Sequence, residues 1–548
     1  MAEISGAGAL LQQLLQNGVK TIFGLPGGQL DHFFDALYEH AGDVRFVGSR
    51  HEQGAAYMAF GYARSTGRPA VYTVVPGPGV LDTTAALCTA YATNAPVMCL
   101  TGQIPAQAIG RGIGYLHELP DQLVTLQSLT RWARRAMTPD EAPALVNEAF
   151  AVMNGGRRGP VSLEMPMDVM AMRGAVPLLP AALRPATPVL DTDRIGDAAR
   201  LIAAAERPMI VIGGGAADAA RPLLELAEAI QAPVVSFRSG RGVVSDRHYL
   251  AQVLPAGHEL WKTADLVIGI GTRMEQQLLH WRTTPGMKVI RIDIDANEFD
   301  RIQPPAVAIH GDARDAIEAL LPVLRRHARR RVSREQELRQ LKGRIAARIA
   351  SVQPQMAYLR AIREALPDDG FFVDEITQVG YASWYGFPVY APRHHVNTGY
   401  QGTLGFGYAT ALGVKIANPD CAVVNIAGDG GFLFTSNEMA TAAQYNIPLV
   451  TVLFNNNRFL NVQRQQNDWF GGRRIGSDLK NPDFIRYAES FGIHAQRVAT
   501  PEALVTAIRA GLERNAPALI EVPCGDMTTP WPHIILPPVG GGAAVARS

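Results

Sequence analysis

The apolar residues of the chain fall into short continuous runs that are separated by glycine turns and by helical stretches. Examples are TIFG (21–24), AVYTVV (70–75) and APVMCLTG (95–102), and glycine lies in or directly after each run. Short apolar runs that alternate with helical patterns are typical of buried parallel strands in βαβ units. The pattern therefore predicts an α/β fold of doubly wound parallel sheets.

This rhythm occurs in three blocks, which predicts three domains. They are an N-terminal domain over 1–172, a middle Rossmann-like domain over 190–325 and a C-terminal domain over 350–535. The proline-rich segment 176–188 is typical of a linker. The strongly basic segment 325–345 holds no aromatic residues that could stack on bases, so it favours a solvated helix joining domains over a nucleic-acid-binding arm.

Composition and charge narrow the class of protein. The 548 residues are 47% hydrophobic and 18% charged, which is typical of a compact globular protein, and the net charge of +1 gives no overall attraction to nucleic acid or to a membrane. Four cysteines without a CxxC pair, and a start without a basic segment before its apolar run, favour a cytoplasmic protein without a leader. No apolar window is long enough to span a bilayer. The last nine residues, 540–548, are predicted to be disordered.

Polar side chains follow two neighbouring apolar runs of the C-terminal domain. CAVVNIA (421–427) and IPLVTVLF (447–454) are predicted parallel strands, and Asp429 and Asn456 come just after them. Ligands of open α/β sheets bind at the carboxyl ends of the strands. The two side chains are therefore predicted to face a common ligand.

The glycines around Asp429 indicate what that ligand is. Gly428, Gly430 and Gly431 carry no side chains, so backbone N–H groups can approach an anion. Asp429 and Asn456 offer two hard oxygen ligands, and Mg²⁺ takes its remaining ligands from phosphate and water. We therefore expect a magnesium-bridged diphosphate site. Between the two strands, Thr435 followed by Glu438 matches a capping box and predicts the start of a helix.

The GDG stretch followed by the asparagines resembles the thiamine diphosphate motif of a known enzyme superfamily. This superfamily includes acetohydroxyacid synthase, benzoylformate decarboxylase and pyruvate oxidase. The resemblance implies that thiamine diphosphate and Mg²⁺ are the cofactors. It also implies that the metal ligands are Asp429, Asn456 and the backbone carbonyl of Arg458.

Three further segments resemble the same superfamily. GSRHEQGAAYMAFGYARSTGRPAV (48–71) looks like the segment with the catalytic glutamate, so the resemblance makes Glu52 the acid that hydrogen-bonds the cofactor's pyrimidine ring. In NTGYQGTLGFGYATALG (397–413), Leu404 falls where an apolar residue separates the two cofactor rings, and the carbonyl of Gly402 where the 4′-amino group is bound. In DEITQVG (374–380), Thr377 and Gln378 fall where the diphosphate is held.

PGPG (76–79), LTGQIP (100–105) and RIDID (291–295) look most like acetohydroxyacid synthase, but several functional positions differ from it. His117, in Leu-His-Glu, replaces a glutamine that faces the bound intermediate, and we expect it to line the substrate pocket and act in catalysis. Gln465 replaces a tryptophan that selects the acceptor. The flavin-binding stretches of that enzyme are altered at 253–259 and 273–277, so no bound FAD is expected, and the lone glycine turn GGG (213–215) is a weak nucleotide signal. Benzoylformate decarboxylase fits no better, because its active-site histidine falls on Val75 or Pro76.

The resemblance implies an enzyme that removes CO₂ from a 2-oxo acid and transfers the remaining fragment to an acceptor carbonyl, as acetolactate synthase does. The acceptor would be an aldehyde or a keto acid. The alternative is a simple 2-oxo acid decarboxylase, and a third is an inactive scaffold of the same fold. In this superfamily Glu52 of one subunit meets Asp429 of another, which implies a homodimer at minimum and favours a homotetramer, with no nucleic-acid or membrane partner.

Overall fold

The computed structural model describes residues 3–327 and 331–539, which belong to two compact units. The chain passes from one unit to the other several times. The first unit is Met1–Ala186, Phe371–Ile376 and Val396–Cys524, and the second is Thr187–Gly370, Thr377–His395 and Gly525–Ser548. Three six-stranded sheets flanked by helices confirm the predicted fold class of doubly wound α/β layers.

The N-terminal part of the first unit contains one of these sheets. Its strands are β1 (Glu3–Ser5), β2 (Thr21–Gly24), β3 (Arg45–Gly48), β4 (Ala70–Val74), β5 (Val97–Gln103), β6 (Trp132–Arg135), β7 (Val161–Pro166) and β8 (Arg173–Ala175). Its helices are α1 (Gly6–Gln16), α2 (Asp31–Glu39), α3 (Glu52–Thr66), α4 (Pro78–Asp82), α5 (Thr84–Thr93), α6 (Gln122–Leu129), α7 (Ala142–Asn154) and α8 (Met167–Ala171). The parallel sheet has the order β3-β2-β4-β5-β7-β6, and β1 pairs with β8 in a separate antiparallel ribbon.

The middle sheet lies in the second unit. Its elements are α9 (Thr192–Ala204), β9 (Pro208–Ile212), α10 (Ala220–Ile230), β10 (Val234–Ser236), β11 (Ala251–Gln252), α11 (Leu254–Trp261), β12 (Leu266–Ile270), β13 (Lys288–Asp293), β14 (Val307–His310), α12 (Ala313–His327) and α13 (Glu335–Ile349), with a π-helix at Gln276–Trp281. The strands are parallel in the order β11-β10-β9-β12-β13-β14.

The third sheet is formed by the C-terminal part of the chain. The elements are α14 (Gln355–Ala365), β15 (Phe371–Val373), α15 (Gln378–Gly386), β16 (His395–Val396), α16 (Gly407–Ala417), β17 (Val423–Gly428), α17 (Asp429–Phe432), α18 (Met439–Gln444), β18 (Val450–Asn455), α19 (Leu460–Phe470), α20 (Phe484–Glu489), β19 (His494–Arg497), α21 (Pro501–Glu513) and β20 (Ala518–Pro523). The order is β16-β15-β17-β18-β20-β19, and β15, β17, β18, β20 and β19 pair in parallel.

Helices α3 and α16 hold the two halves of the first unit together. A Cβ added at Gly61 would lie 2.0 Å from the carbonyl oxygen of Thr410, and one added at Gly413 would lie 1.9 Å from that of Met58. The two glycines therefore allow the helix backbones to touch. Helix α3 buries ten of its residues, from Gly54 to Ser65, because β-strands lie on one side of it and α16 on the other.

The basic segment 325–345, predicted to be one solvated helix joining domains, contains the end of α12, a non-helical stretch at 331–334 and the first part of α13. Helix α13 buries Leu338, Leu341, Ile345 and Ile349, so it has an apolar face and belongs to the second unit. Its charged residues include Glu337, whose pKa is lowered to about 2 by the guanidinium groups of Arg334 and Arg207.

The proline-rich segment runs without helix or strand from 176 to 190. It is fixed to the N-terminal part of the first unit, because Gln13 exchanges two hydrogen bonds with the backbone of Leu179 and Asn17 accepts from the N–H of Ala182. The predicted disordered tail, 540–548, lies outside the described residues. Within the described ranges, no helix is long and apolar enough to cross a membrane.

Candidate active site

Asp429 and Asn456 lie at the carboxyl ends of neighbouring parallel strands, as predicted. Strand β17 ends at Gly428 and β18 ends at Asn455, and the two strands pair in parallel. Asp429 is the first residue of α17 and is only 3% exposed. The alternation of strand and helix therefore brings two oxygen-bearing side chains to one edge of the sheet.

The carboxylate of Asp429 is surrounded by neutral donors. The side-chain amide of Asn481 donates to its Oδ2 at 2.7 Å, and backbone N–H groups of Gly430, Asn456 and Asn457 stabilise its charge. Burial nevertheless raises the pKa of Asp429 above its ordinary value. A buried carboxylate without a cationic side chain among these neighbours is costly, and a bound cation would offset that cost.

The backbone at Arg458 is held by a short antiparallel bridge to Asp478. Its two hydrogen bonds run from the N–H of Phe459 to Ser477 and from the N–H of Leu479 to Asn457. The bridge thus fixes the peptide at Arg458 without using the carbonyl oxygen of Arg458, the third predicted metal ligand.

The glycines near Asp429 are required by close packing and by the loop conformation. A Cβ at Gly430 would lie 2.3 Å from the ring of Phe459, so only glycine fits there. Gly402 has a left-handed φ of +60°, and an added Cβ would meet nothing within 4 Å. Glycine is therefore favoured at this position by its backbone conformation, since there is space for a side chain. Leu404 is half-buried in the same loop.

The predicted capping box of Thr435 and Glu438 is wrong. The hydroxyl of Thr435 donates to the carbonyl of Gly405 at 2.7 Å, and Ser436–Glu438 forms a 3₁₀ turn ahead of α18. The buried carboxylate of Glu438 instead accepts from the backbone N–H groups of Arg50 and His51, within 3.1 Å. Tertiary contacts replace the local motif because Glu438 satisfies N–H groups at the start of another helix, α3.

Glu52 is the first residue of α3 and is half-buried. Its carboxylate lies beside the first turn of α4, where a Cβ at Gly79 would be 3.6 Å from Oε1 of Glu52. Ligand atoms of His51, Glu52 and Asp82 lie within 4.8 Å of one another. None of the contacts described for the chain joins Glu52 to Asp429.

His117 lies in the loop before α6 and has a left-handed φ of +67°. Its Nδ1 is 2.8 Å from Oε1 of Gln29, and the amide nitrogen of Gln29 donates to the carbonyl of Leu116 at 3.0 Å. A Cβ at Gly77 would lie 2.5 Å from the carbonyl oxygen of His117, so the glycine turn packs directly against this loop.

A buried polar network supports that glycine turn. Oε1 of Gln122 accepts from the N–H of Gly77 at 2.8 Å, and Nε2 donates to Glu164 at 2.7 Å. Glu164 is fully buried and forms an ion pair with Arg135 at 2.5 Å. Burial raises the pKa of Glu164, whereas Arg135 lowers it. A cavity of about 80 Å³ lies beside Gln122 and Arg135.

The loop after β15 contributes to both units. Thr377 caps α15 in the second unit by accepting from the N–H of Gly380 at 2.8 Å, and Gln378 is buried there. Glu375 belongs to the first unit and is buried, and it accepts from the N–H groups of Ile376 and Gly407. Burial raises the pKa of Glu375 to about 8.

Sequence reasoning missed Asn481, Gln29, Glu375 and Gln122. Asn481, Gln29 and Gln122 lie outside the segments that resemble the superfamily, and Glu375 lies inside DEITQVG (374–380) but was not singled out there. A single polar residue in a sequence gives no sign that its side chain is buried or which distant group it contacts.

In the middle domain, the glycines of the GGG turn (213–215) allow close packing of the backbone. Cβ atoms at Gly213 and Gly215 would lie 2.4 and 2.8 Å from backbone atoms of Gly271. Pro255 lies in the first turn of α11. The backbone N–H groups of a first turn have no acceptor within the helix, so a proline there costs no helical hydrogen bond.

The residues present fit a Mg²⁺–diphosphate group. Asp429, Asn456 and the carbonyl of Arg458 offer three oxygens of the type that Mg²⁺ prefers. Burial, with a contribution from Asp429, raises the pKa of Cys524 to about 12, so without a metal its thiol is protonated. The hydrogen-bond donors to the buried Asp429 carboxylate are neutral, so a bound cation would offset the cost of burying its charge.

Comparison with known proteins defines the class. Three family models match: the N-terminal TPP binding domain of thiamine pyrophosphate enzymes over residues 4–125, their central domain over 195–320 and their C-terminal TPP binding domain over 375–522. The chain belongs to the thiamine pyrophosphate enzyme family.

Individual relatives match over nearly their whole length. The chain is 35% identical over 528 residues to a probable 2-ketoarginine decarboxylase of Pseudomonas aeruginosa, covering 94% of this chain and 93% of the relative. It is 33% identical to a probable acetolactate synthase large subunit of Methanocaldococcus jannaschii, covering 95% and 92%. It is 30% identical to the acetolactate synthase isozyme 1 large subunit of Escherichia coli, covering 94% and 93%.

Proposed function

We propose that this protein is a thiamine diphosphate- and Mg²⁺-dependent carboligase that decarboxylates a 2-oxo acid and transfers the remaining fragment to an acceptor carbonyl. The observation that carries the proposal is the buried Asp429 carboxylate beside Asn456 at the ends of β17 and β18. It supports a cation and diphosphate at this edge. The acetolactate synthases among the relatives support the transfer step.

The proposed roles follow from the position of each residue. Asp429, Asn456 and the Arg458 carbonyl would hold Mg²⁺, and the N–H groups of Gly428, Gly430 and Gly431 would face the diphosphate. Thr377 and Gln378 would add further diphosphate contacts. The cofactor, when bound, supplies the electron sink that allows CO₂ to leave.

The remaining residues would orient the cofactor and move protons. Leu404 and the carbonyl of Gly402 would hold the rings and the amino group. Glu52 would share a proton with the pyrimidine nitrogen, and Glu438 would fix the start of its helix through the N–H groups of Arg50 and His51. His117 would face the substrate from the loop beside the glycine turn.

The site would be assembled from two copies of the chain. Glu52 lies beside Gly79 in α4, and Asp429 accepts from Asn481. By the resemblance to the superfamily, Glu52 of one copy would face Asp429 of the other. We therefore propose a homodimer at minimum, with a homotetramer as the expected assembly. A diluted monomer should lose activity and regain it on concentration.

Simple decarboxylation is the second candidate. Two features favour it: a relative is named as a decarboxylase of 2-ketoarginine, and Gln465 and His117 occupy positions where acetohydroxyacid synthase carries other residues. In this case a proton would replace the acceptor.

Product analysis separates the two. The purified protein with thiamine diphosphate and Mg²⁺ is incubated with pyruvate or 2-ketoarginine, alone and with an added aldehyde. Carboligation yields a hydroxyketone or an acetohydroxy acid, and decarboxylation yields the free aldehyde. CO₂ release that is equal in wild type and in the Glu52→Gln variant, or absent with every 2-oxo acid, would refute the proposal.

A further inference from the structure

The amide of Gln29 is a fixed hydrogen-bonding group. Gln29 is 4% exposed and lies in the 3₁₀ helix Gly28–Leu30, with its backbone carbonyl packed against β5 so closely that a Cβ at Gly102 would be 2.6 Å away. Its side chain meets two partners, the carbonyl of Leu116 at 3.0 Å and Nδ1 of His117 at 2.8 Å. Both partners lie on one loop.

These two partners determine the orientation of the amide. A carbonyl oxygen can only accept, so the nitrogen of Gln29 must face Leu116. The oxygen of Gln29 therefore faces Nδ1 of His117, and an amide oxygen also can only accept. Nδ1 must then carry the proton.

We propose that Gln29 is a positioning residue that holds neutral His117 as the Nδ1–H tautomer and leaves Nε2 as the unprotonated nitrogen. His117 can then donate from Nε2 only as an imidazolium. The next step rests on the proposed function. In that function, His117 donates a hydrogen bond to the carboxylate of a 2-oxo acid only when the imidazole ring is protonated on both nitrogens. Above the pH at which the ring loses its proton, Nε2 offers a lone pair to that carboxylate and binding weakens.

The acceptor at Nδ1 of His117 is the neutral amide oxygen of Gln29. The 3₁₀ helix at 28–30 and the turn at 75–79, which pack against His117, contain no titratable side chain. The charged groups close to these elements are the exposed Asp31 and Asp82, the loop's own Glu118, and Glu52, whose Oε1 would lie 3.6 Å from a Cβ at Gly79. Glu118 accepts from the N–H groups of Gly112, Gly114 and Tyr115, and these bonds lower its pKa.

The tautomer can be measured without cofactor or substrate. The full chain is labelled with ¹⁵N-histidine, and two-bond ¹H–¹⁵N spectra are recorded at a pH where the ring is neutral. The protein has 13 histidines, and the His117 signals are assigned by their loss in His117→Asn. Nδ1–H in His117 supports the proposal, and Nε2–H overturns it. This result stands even if no 2-oxo acid is turned over.

The pH profile of KM tests the consequence. For wild type, KM should rise with pH, because the neutral Nδ1–H tautomer has no N–H at Nε2 to donate to the substrate carboxylate. Gln29→Glu keeps an acceptor at Nδ1 and adds negative charge, so the rise should move to higher pH by about one unit. Gln29→Met removes the acceptor and lets the ring adopt Nε2–H, so the rise should become shallow.

Gln13→Met is the matched control, because Gln13 is also buried and its amide bonds Asn147 and Leu179 at a distance from His117. Its KM profile should match wild type. The proposal would be overturned if the pH dependence of KM moved in the same direction in Gln29→Glu and Gln29→Met, or if it were unchanged in both folded variants.

Discussion

The side-chain amide of Asn481 donates to Oδ2 of Asp429 at 2.7 Å, although 51 residues separate the two positions in the chain. The same nitrogen is 3.1 Å from Oδ1 of Asn455 and 3.2 Å from Oδ1 of Asn457. One amide thus ties the loop after β18 to the carboxylate after β17. This relationship orients the proposed metal ligand before any metal is bound.

Loss of this amide should weaken metal binding. Asn481→Ala should raise the Mg²⁺ concentration that half-saturates activity by about 10- to 100-fold, because the carboxylate is no longer oriented. Asp429→Ala should abolish cofactor retention altogether. The effect of Asn481→Ala is measured by titrating Mg²⁺ while following activity, and that of Asp429→Ala by titrating thiamine diphosphate with Mg²⁺ while following intrinsic fluorescence.

The matched control is Asn297→Ala, which removes another asparagine that donates to a carboxylate, that of Asp295, in the second unit. Its metal dependence should equal that of wild type. An Asn481→Ala protein with unchanged metal dependence would show that the amide has no role in orienting Asp429.

Glu52→Gln should bind thiamine diphosphate almost normally but turn over about 10²- to 10⁴-fold more slowly, because an amide cannot exchange a proton with the pyrimidine ring. Exchange of the cofactor's C2 proton into deuterated water measures the step directly. Glu335→Gln is the control, because it places a glutamine at an exposed position in the first turn of another helix, α13. Near-normal C2 exchange in Glu52→Gln would remove this role from Glu52.

Glu375 should make the apo protein less stable as pH rises. Its folded-state pKa of about 8 lies above the ordinary value of 4.5, so the folded protein holds a proton that the unfolded chain has released. The stability is fully present below about pH 4.5 and is lost up to about pH 8, a change of a few kcal/mol.

Urea unfolding of the apo protein between pH 5 and pH 8 measures this slope. Glu375→Gln should be less dependent on pH over that range, although it loses one of the bonds from Ile376 and Gly407. If its slope equals that of wild type, the slope arises from other groups.

The purified protein should contain no flavin. The backbone at Gly213 and Gly215 is packed against Gly271, and the stretches that resemble flavin-binding loops differ at 253–259 and 273–277. The absorbance spectrum should lack the visible flavin band, also after incubation with FAD and dialysis. A yellow cofactor released in stoichiometric amount on denaturation would contradict this expectation.

The sequence predicts those features of the fold that depend on local patterns. Apolar runs such as 421–427 and 447–454 identify buried strands, and the order of strand and helix makes them parallel. This suffices to place Asp429 and Asn456 at one edge, because the carboxyl ends of parallel strands lie on the same side of a sheet.

Contacts between distant segments could not be predicted in this way. Thr435 and Glu438 have the spacing of a capping box, but each finds a stronger partner elsewhere, at Gly405 and at the start of α3. Asn481 and Gln29 likewise act on residues 52 and 88 positions away. No local pattern records which distant group a single amide will meet.

The contact of α3 with α16 also has a consequence during protein synthesis. Gly61 and Gly413 meet within the first unit, yet roughly 220 residues lie between the end of its N-terminal segment and α16. At about 5–20 residues per second, the ribosome needs roughly 10 to 45 seconds to make them. Through this interval the apolar surface of α3 has no α16 to cover it, so a nascent chain that stalls before residue 407 should be a substrate for chaperones and proteases.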